Sequence, residues 1–232
     1  MSFQKFEVSP SVGFQKFENY DSPEKEILLE VFQKMPMMDK WIANIIEEYI
    51  YSTVREYHPD GSLKVEYRTK YGEKDGEYKM WYDNGQLSVQ STYVEDQLHG
   101  EYKEWHRVAD ERSENGQLRV QTSYLEGKRH GEYKSWHSNG QLWCQVTYVK
   151  DKLHGEYKSW WSNGQPSVKT TYVKGEVHGN YKKWFDDGQL WVQTTYSSGK
   201  IHGECKAWHD NGQLCEQSTY VEGKLHGDCC LQ

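Results

Sequence analysis

Along most of the chain apolar and polar residues alternate with the period of a β-strand, and turn signals interrupt the alternation at regular intervals. Leu87-Ser-Val-Gln-Ser-Thr-Tyr93 places Leu87, Val89 and Tyr93 on one face. Glu101-Tyr-Lys-Glu-Trp105 reads as the return strand. An Asn-Gly pair between such runs is the strongest short hairpin signal, because both central residues of a type I′ turn need φ > 0. A second turn, of the form Val-Glu-Gly-Lys-Leu-His-Gly, carries Gly or Asp at a fixed place: Gly72, Asp96, Gly127, Asp151, Gly175, Gly199 and Gly223. A left-handed residue is expected there. Connections this short predict an antiparallel meander, each strand beside its sequence neighbours.

The pattern repeats. Asn/Asp-Gly recurs as Asp60-Gly61, Asn84-Gly85, Asn115-Gly116, Asn139-Gly140, Asn163-Gly164, Asp187-Gly188 and Asn211-Gly212. A second glycine recurs at Gly76, Gly100, Gly131, Gly155, Gly179, Gly203 and Gly227. Both series have a period of 24, broken once by an interval of 31 where seven extra residues enter between Trp105 and Asn115. Tyr follows the second glycine by two (Tyr78, Tyr102, Tyr133, Tyr157, Tyr181) and Trp by five (Trp81, Trp105, Trp136, Trp160, Trp184, Trp208). Stacked repeats would set these in ladders, with aromatic cross-strand pairs contributing ~0.2–1 kcal/mol each. The offset of three puts Tyr and Trp on opposite faces unless a bulge intervenes. Two strands per repeat advance the array by ~9.6 Å, so about thirteen strands predict an elongated, single-layer solenoid of roughly 60 Å.

The unit Tyr-Val-x-Gly-Lys-Leu-His-Gly-Glu-Tyr-Lys-x-Trp-x-x-Asn-Gly-Gln-Leu resembles the MORN repeat. It is closest to the variant form found in bacterial antitoxin-like proteins and in giant viruses of amoebae. The resemblance covers about residues 55–232, some seven repeats. Cys205 and Cys229 replace the Tyr, Pro166 replaces the Leu after Asn-Gly-Gln, and Thr69 stands where the first unit would have Tyr. The resemblance implies a mainly β, single-layer antiparallel sheet of β-hairpins acting as a non-enzymatic scaffold for a protein partner, with no catalytic, metal or cofactor residues. It also implies an antitoxin-like role as one alternative, and a viral origin as another.

Residues 1–54 do not share the period. In 1–21, Phe3-Gln-Lys-Phe-Glu7 recurs as Phe14-Gln-Lys-Phe-Glu18, which reads as a strap or flexible segment. Residues 22–54 read as a helical cap. Ser22-Pro23 offers an N-cap and first-turn proline, and Ile27, Leu28, Val31, Phe32 and Met35 follow at helical spacing. Asp39 opens a second helix with Trp41, Ile42, Ile45, Ile46, Tyr49 and Ile50 on its apolar face. Such a pair would cover the open edge of the first hairpin. The run from Ile27 to Asp39 also resembles the middle of an F-box, which implies a ubiquitin-ligase adaptor as a further alternative.

Composition narrows the function classes. Residues of the AVILMFWYC set make up only 35%, with Trp 10, Tyr 18 and Phe 6, and mean hydropathy is −1.01. That suits a thin sheet stiffened by aromatics rather than a thick aliphatic core. A net charge of −7 argues against nucleic acid and anionic membrane as partners, and no span of 18 apolar residues occurs. The five cysteines, odd in number and without a CxxC, read as reduced thiols and place the protein in the cytoplasm, the host's if the chain is viral.

The histidine before the second glycine (His99, His130, His154, His178, His202, His226) recurs every ~9.6 Å, too far apart to share a zinc ion. Turn packing is expected of it. Glu77, Glu101, Glu132, Glu156 and Glu204 stand two residues before a lysine and predict solvated charge ladders.

The glycines Gly85, Gly100, Gly116, Gly131, Gly140, Gly155, Gly164, Gly179, Gly188, Gly203, Gly212 and Gly227, with the Tyr and Trp columns, are the expected structural residues. Recognition is expected at the break in the pattern, where Arg107 and Arg112 of the insertion would meet an acidic partner. The unfinished strand after Gly227 predicts a homodimer through the C-terminal repeats.

Overall fold

The computed structural model describes Glu47, Ile50, residues 51–107 and 116–226, and the backbone of Cys230 and Leu231. The chain divides into two units, Met1–Ile50 and Tyr51–Gln232. Glu47 and Ile50 are helical, and strand begins at Tyr51, ahead of the expected boundary at 55. The rest of the expected helical cap lies outside the described residues. So do the F-box-like run, both Phe-Gln-Lys-Phe-Glu copies, Arg112 and Gly227.

The second unit is one antiparallel sheet of 18 strand segments among the described residues. The first five are β1 (Tyr51–Tyr57), β2 (Leu63–Lys70), β3 (Glu73–Trp81), β4 (Leu87–Val94) and β5 (Gln97–Trp105). Next come β6 (Leu118–Leu125), β7 (Lys128–Arg129), β8 (Gly131–Trp136), β9 (Leu142–Val149) and β10 (Lys152–Trp160). Then follow β11 (Pro166–Val173), β12 (Glu176–Trp184), β13 (Leu190–Ser197), β14 (Lys200–Ile201) and β15 (Gly203–Trp208). The last are β16 (Leu214–Val221), β17 (Lys224–Leu225) and β18 (Cys230–Leu231). Each pairs with its sequence neighbour, and β7 with β8 and β14 with β15 are return strands interrupted at His130 and His202. The meander is thus the expected one, mainly β and a single layer.

The two turns exchange the roles the sequence suggests. At Asn84-Gly85, Gly85 N–H donates to Tyr82 O (3.0 Å) and Tyr82 N–H donates to Gln86 O (2.8 Å). Gly85 has φ +79, whereas neither Asp83 nor Asn84 has positive φ. Asn is therefore the third residue of an ordinary four-residue turn, and glycine follows it in the left-handed region. That is the three-residue hairpin loop closed by a glycine bulge, not the type I′ turn. The Asn84 side chain closes the loop by accepting from Gln86 N–H (3.2 Å).

The type I′ turn is the other one. Val94 pairs with Gln97, and between them Glu95 and Asp96 have φ of 50 and 60. Lys150-Asp151, Lys174-Gly175 and Ser198-Gly199 repeat this geometry. Lysine, serine and glutamate pay a steric cost at positive φ. A hydrogen bond to the previous repeat offsets it: Gly175 N–H donates to Leu153 O (2.8 Å) and Gly199 N–H to Val177 O (2.9 Å).

At Gly116 a Cβ would run into the His106 carbonyl oxygen, so glycine is required by close approach.

The core is one side chain thick. Among the described residues only Val65, Cys144 and Val146 are buried hydrophobics. The remaining buried positions are mostly Ser and Thr, and one column of them (Ser91, Thr122, Thr170, Thr194, Ser218, with Val146 in register) is 2–4% exposed. Each lies directly opposite a tyrosine or its replacement: Ser91 faces Tyr78 and Tyr102, Thr170 faces Tyr157, and Ser218 faces Cys205. Small residues beside large rings let the rings lean together, as close packing demands.

Candidate interaction surface

The tyrosines pack differently from a ladder of like positions. Each return-strand Tyr meets the Tyr that ends the next strand: Tyr78 with Tyr93 (5.3 Å between ring centroids), Tyr102 with Tyr124, Tyr133 with Tyr148, Tyr157 with Tyr172 (each 5.7 Å), and Tyr181 with Tyr196 (5.6 Å). Most are edge-on, the favoured arrangement. Burial pushes the Tyr102 hydroxyl up to about 12 and raises Tyr157 further, Cys144 beside it adding to the shift. Burial also raises the Cys144 thiol. This tyrosine network is structural.

The tryptophans mark a bulge. Register shifts between Met80 and Trp81, Glu104 and Trp105, Ser135 and Trp136, and at the equivalent places onward. The residue after each Trp then links repeats. His58 Nε2–H donates to Trp81 O (3.1 Å), Tyr82 O–H to Trp105 O (2.8 Å) and His106 Nε2–H to Trp136 O (3.0 Å). His137 Nε2–H donates to Trp160 O (3.0 Å), and Trp161 Nε1–H to Trp184 O (3.2 Å). Asn139 and Asn163 add side-chain bonds to Ser162 O and Asp186 O. This column of His and aromatic residues escapes the first reading, although the same 24-residue period carries it.

The histidines before the second glycine sit at the opposite end of the hairpins. His178 Nδ1 accepts from Ser198 N–H and His202 Nδ1 from Glu222 N–H, both at 3.5 Å, tying each histidine to the turn of the next repeat. Among the described residues no three His, Cys, Asp or Glu side chains gather as a metal site.

Asp151 accepts from the Arg129 N–H (3.0 Å) and Nε–H (3.2 Å), which together hold its carboxyl below the usual range. Arg107 Nη2–H donates to Asp83 Oδ1 at 2.7 Å, so this insertion arginine is engaged within the chain, both side chains remaining more than half exposed.

The array offers outward a face of charged side chains and, among its exposed large apolar residues, two indoles. Lys79, Lys103, Lys134, Lys158 and Lys206 each pair with the Glu two residues earlier at 2.7–2.9 Å. Neighbouring Gln side chains donate to the same carboxylates, as Gln145 to Glu132 at 2.7 Å. Trp143 is 53% exposed and Trp191 37%. They occupy equivalent places two repeats apart, Trp143 near His137 (6.2 Å) and Trp191 stacked on Phe185 (5.1 Å).

Five segments (74–95, 129–150, 153–174, 177–198 and 201–222) match the family model described as the MORN repeat variant. The stretch they skip contains the insertion. No curated protein matches the chain. Among solved structures, one of S. aureus TarM and one of TarM align over 84% of this chain and 32% of theirs, at 9% and 10% identity and a TM-score of 0.21. One is a point mutant in complex with fondaparinux, alpha-GlcNAc-glycerol and UDP. The chain spans about a third of the length of those proteins. The sheet of hairpins, the 24-residue period and the five matched segments agree, and the chain is a MORN-repeat protein of the variant class.

Proposed function

We propose that the array is a non-enzymatic scaffold that binds a protein partner. MORN repeats commonly serve as scaffolds for protein or membrane interaction. The observation that carries the protein reading is the exposure of Trp143 and Trp191, the two tryptophans among the exposed large apolar side chains of the described residues. Tryptophan is enriched at the centres of protein interfaces, where a rigid ring buries much area at little entropic cost. The backbone behind both rings is held from one repeat to the next by the carbonyl bonds of Trp160 and Trp184 and by the turn bonds at Gly175 and Gly199. The surface is therefore pre-organised, which lowers the cost of binding.

The test is affinity capture from a lysate of the source organism with the wild type and with Trp143→Ser/Trp191→Ser, both checked for an unchanged melting temperature. The scaffold reading expects protein captured by the wild type and lost with the double variant. Identical capture by both, or none by either, refutes it.

A further inference from the structure

One repeat breaks the charge pattern of the sheet. On three other return strands a lysine stands directly opposite glutamine on both neighbours, as Lys103 opposite Gln90 and Gln121, and Lys134 opposite Gln121 and Gln145. Lys206 stands likewise opposite Gln193 and Gln217. In β11 the glutamine is replaced by Lys169, whose direct partners are Lys158 on β10 and Lys182 on β12. Three lysines thus stand abreast on three adjacent strands, ~4.8 Å apart.

The carboxylates do not keep up. Glu156 holds Lys158 (2.7 Å) and Lys169 (3.1 Å). Asn180 stands where the pattern would give Lys182 its glutamate, and Lys182 has no ion-pair partner among the described residues. Like charges directly opposite on a sheet are destabilising. A chain of net charge −7 therefore keeps a local cationic row at a cost to its own stability.

Gln145 on β9 and Gln193 on β13 end the row, opposite Lys158 and Lys182. The exposed Trp191 lies across the sheet from it: its ring stacks on Phe185 and lies 3.9 Å from Lys183 Nζ, and Lys183 alternates with Lys182 along the strand. Trp143 occupies the equivalent place two repeats earlier. The row from β9 to β13 crosses four strand spacings, ~19 Å, the reach of about six extended residues.

We propose, building on the scaffold reading, that Lys158, Lys169 and Lys182 form the docking surface for an acidic protein segment of about six residues. Its carboxylates neutralise the lysine row. Charge complementarity singles out this occupant: the row carries the excess of cations the segment needs, and the segment's carboxylates relieve the repulsion that Glu156 leaves in place at Lys182.

The experiment uses the full chain and a fluorescein-labelled peptide Glu-Leu-Glu-Leu-Glu-Leu, read by anisotropy, with Lys-Leu-Lys-Leu-Lys-Leu as control. The variant is Lys169→Gln/Lys182→Gln; its glutamine at 169 is the residue the other repeats carry there, and its melting curve reports that it folds. Binding of the acidic peptide by the wild type, weakened by salt and roughly tenfold weaker in the variant, is the expected result. Equal affinity for wild type and variant overturns the proposal. So does binding of phosphatidylserine vesicles or duplex DNA through these lysines with no binding of the peptide. Lysate capture that survives in the double-lysine variant would remove this surface while leaving the scaffold reading intact. Capture absent even with the wild type would instead bring down the scaffold reading.

Discussion

Thr170→Val should stabilise the array, although it removes a hydroxyl from a chain rich in hydrogen bonds. Thr170 is 2% exposed, its Oγ1 has no hydrogen-bond partner, and it lies opposite Tyr157. One repeat earlier Val146 fills the equivalent place opposite Tyr133 and is equally buried. Valine therefore fits this environment in the protein's own hand. A buried hydroxyl without a partner costs about 1–3 kcal/mol, and replacing it with a methyl group of the same shape removes that cost. At ~2–4 °C per kcal/mol for a domain of this size, the melting temperature should rise by several degrees. The control is Thr171→Val, the next residue along, which raises strand propensity equally but leaves the Thr170 hydroxyl in place. Thermal melting by circular dichroism reads both. If Thr170→Val melts no higher than the wild type, or gains no more than Thr171→Val, the stranded hydroxyl is not a liability and this account of the core is wrong.

Gly140→Val should lower the melting temperature more than Ser138→Ala: Gly140 has φ +83, which a β-branched residue adopts only at a strain of roughly 1–3 kcal/mol. Equal melting would unseat the turn geometry. At high pH the fold should be lost together with tyrosine ionisation. The folded pKa of Tyr102 is raised by burial from 10.0 to about 12, so its stabilisation is complete below pH 10 and disappears as pH climbs towards 12. Phenolate absorbance rising at pH 10 with the circular dichroism unchanged would contradict this. At low pH the sign reverses. Lysine partners hold Glu101, Glu132 and Glu156 below their ordinary value of 4.5, so the stability they contribute is present above it and is lost as pH falls through the lower folded values. Glu101→Gln/Glu132→Gln/Glu156→Gln should flatten the acid limb of a melting-temperature profile, and an unaltered limb counts against the ion pairs.

The architecture was legible because the period was. Glycine every 24 residues, with strand-length runs between, leaves few alternatives to a hairpin meander, and each additional copy removes more of them. The turn types were not legible, for a local reason. A glycine at positive φ serves either as the second residue of a type I′ turn or as the bulge closing a longer loop, and Asn-Gly looks the same in both. What separates them is the bulge at the preceding tryptophan and the backbone bond from each Lys-Gly or Glu-Gly turn to the preceding repeat. Both are tertiary. The exposed indoles were hidden for a different reason: Trp143 and Trp191 lie outside the regular Trp column, so a consensus reading passes over them as variation.

That last miss bears on where recognition lies. The insertion after Trp105 is the conspicuous interruption, yet the one insertion arginine that is described, Arg107, already bonds Asp83. The break on β11 and β12 changes no length and no turn. It exchanges Gln for Lys169 and Glu for Asn180 on strands whose register is otherwise undisturbed. In a sheet stabilised by nearest neighbours, such substitutions alter the surface charge while the backbone frame stays as rigid as in every other repeat. A repeat protein can therefore acquire a specific partner through outward-facing side chains alone, and the sign that it has done so is a local cost in stability that its sister repeats do not bear. The cross-strand Lys158–Lys169–Lys182 row is such a cost. It also makes a separable prediction: Lys169→Gln alone should raise the melting temperature, because Gln restores the neutral partner between two lysines and can donate to Glu156 as Gln145 does to Glu132. Removing two like-charge contacts is worth ~0.4–2 kcal/mol, set against the loss of one exposed ion pair of ~0–1 kcal/mol. A melting temperature that falls on this substitution would mean that the row is stabilised within the chain, and the physical argument for a partner that neutralises it would be gone.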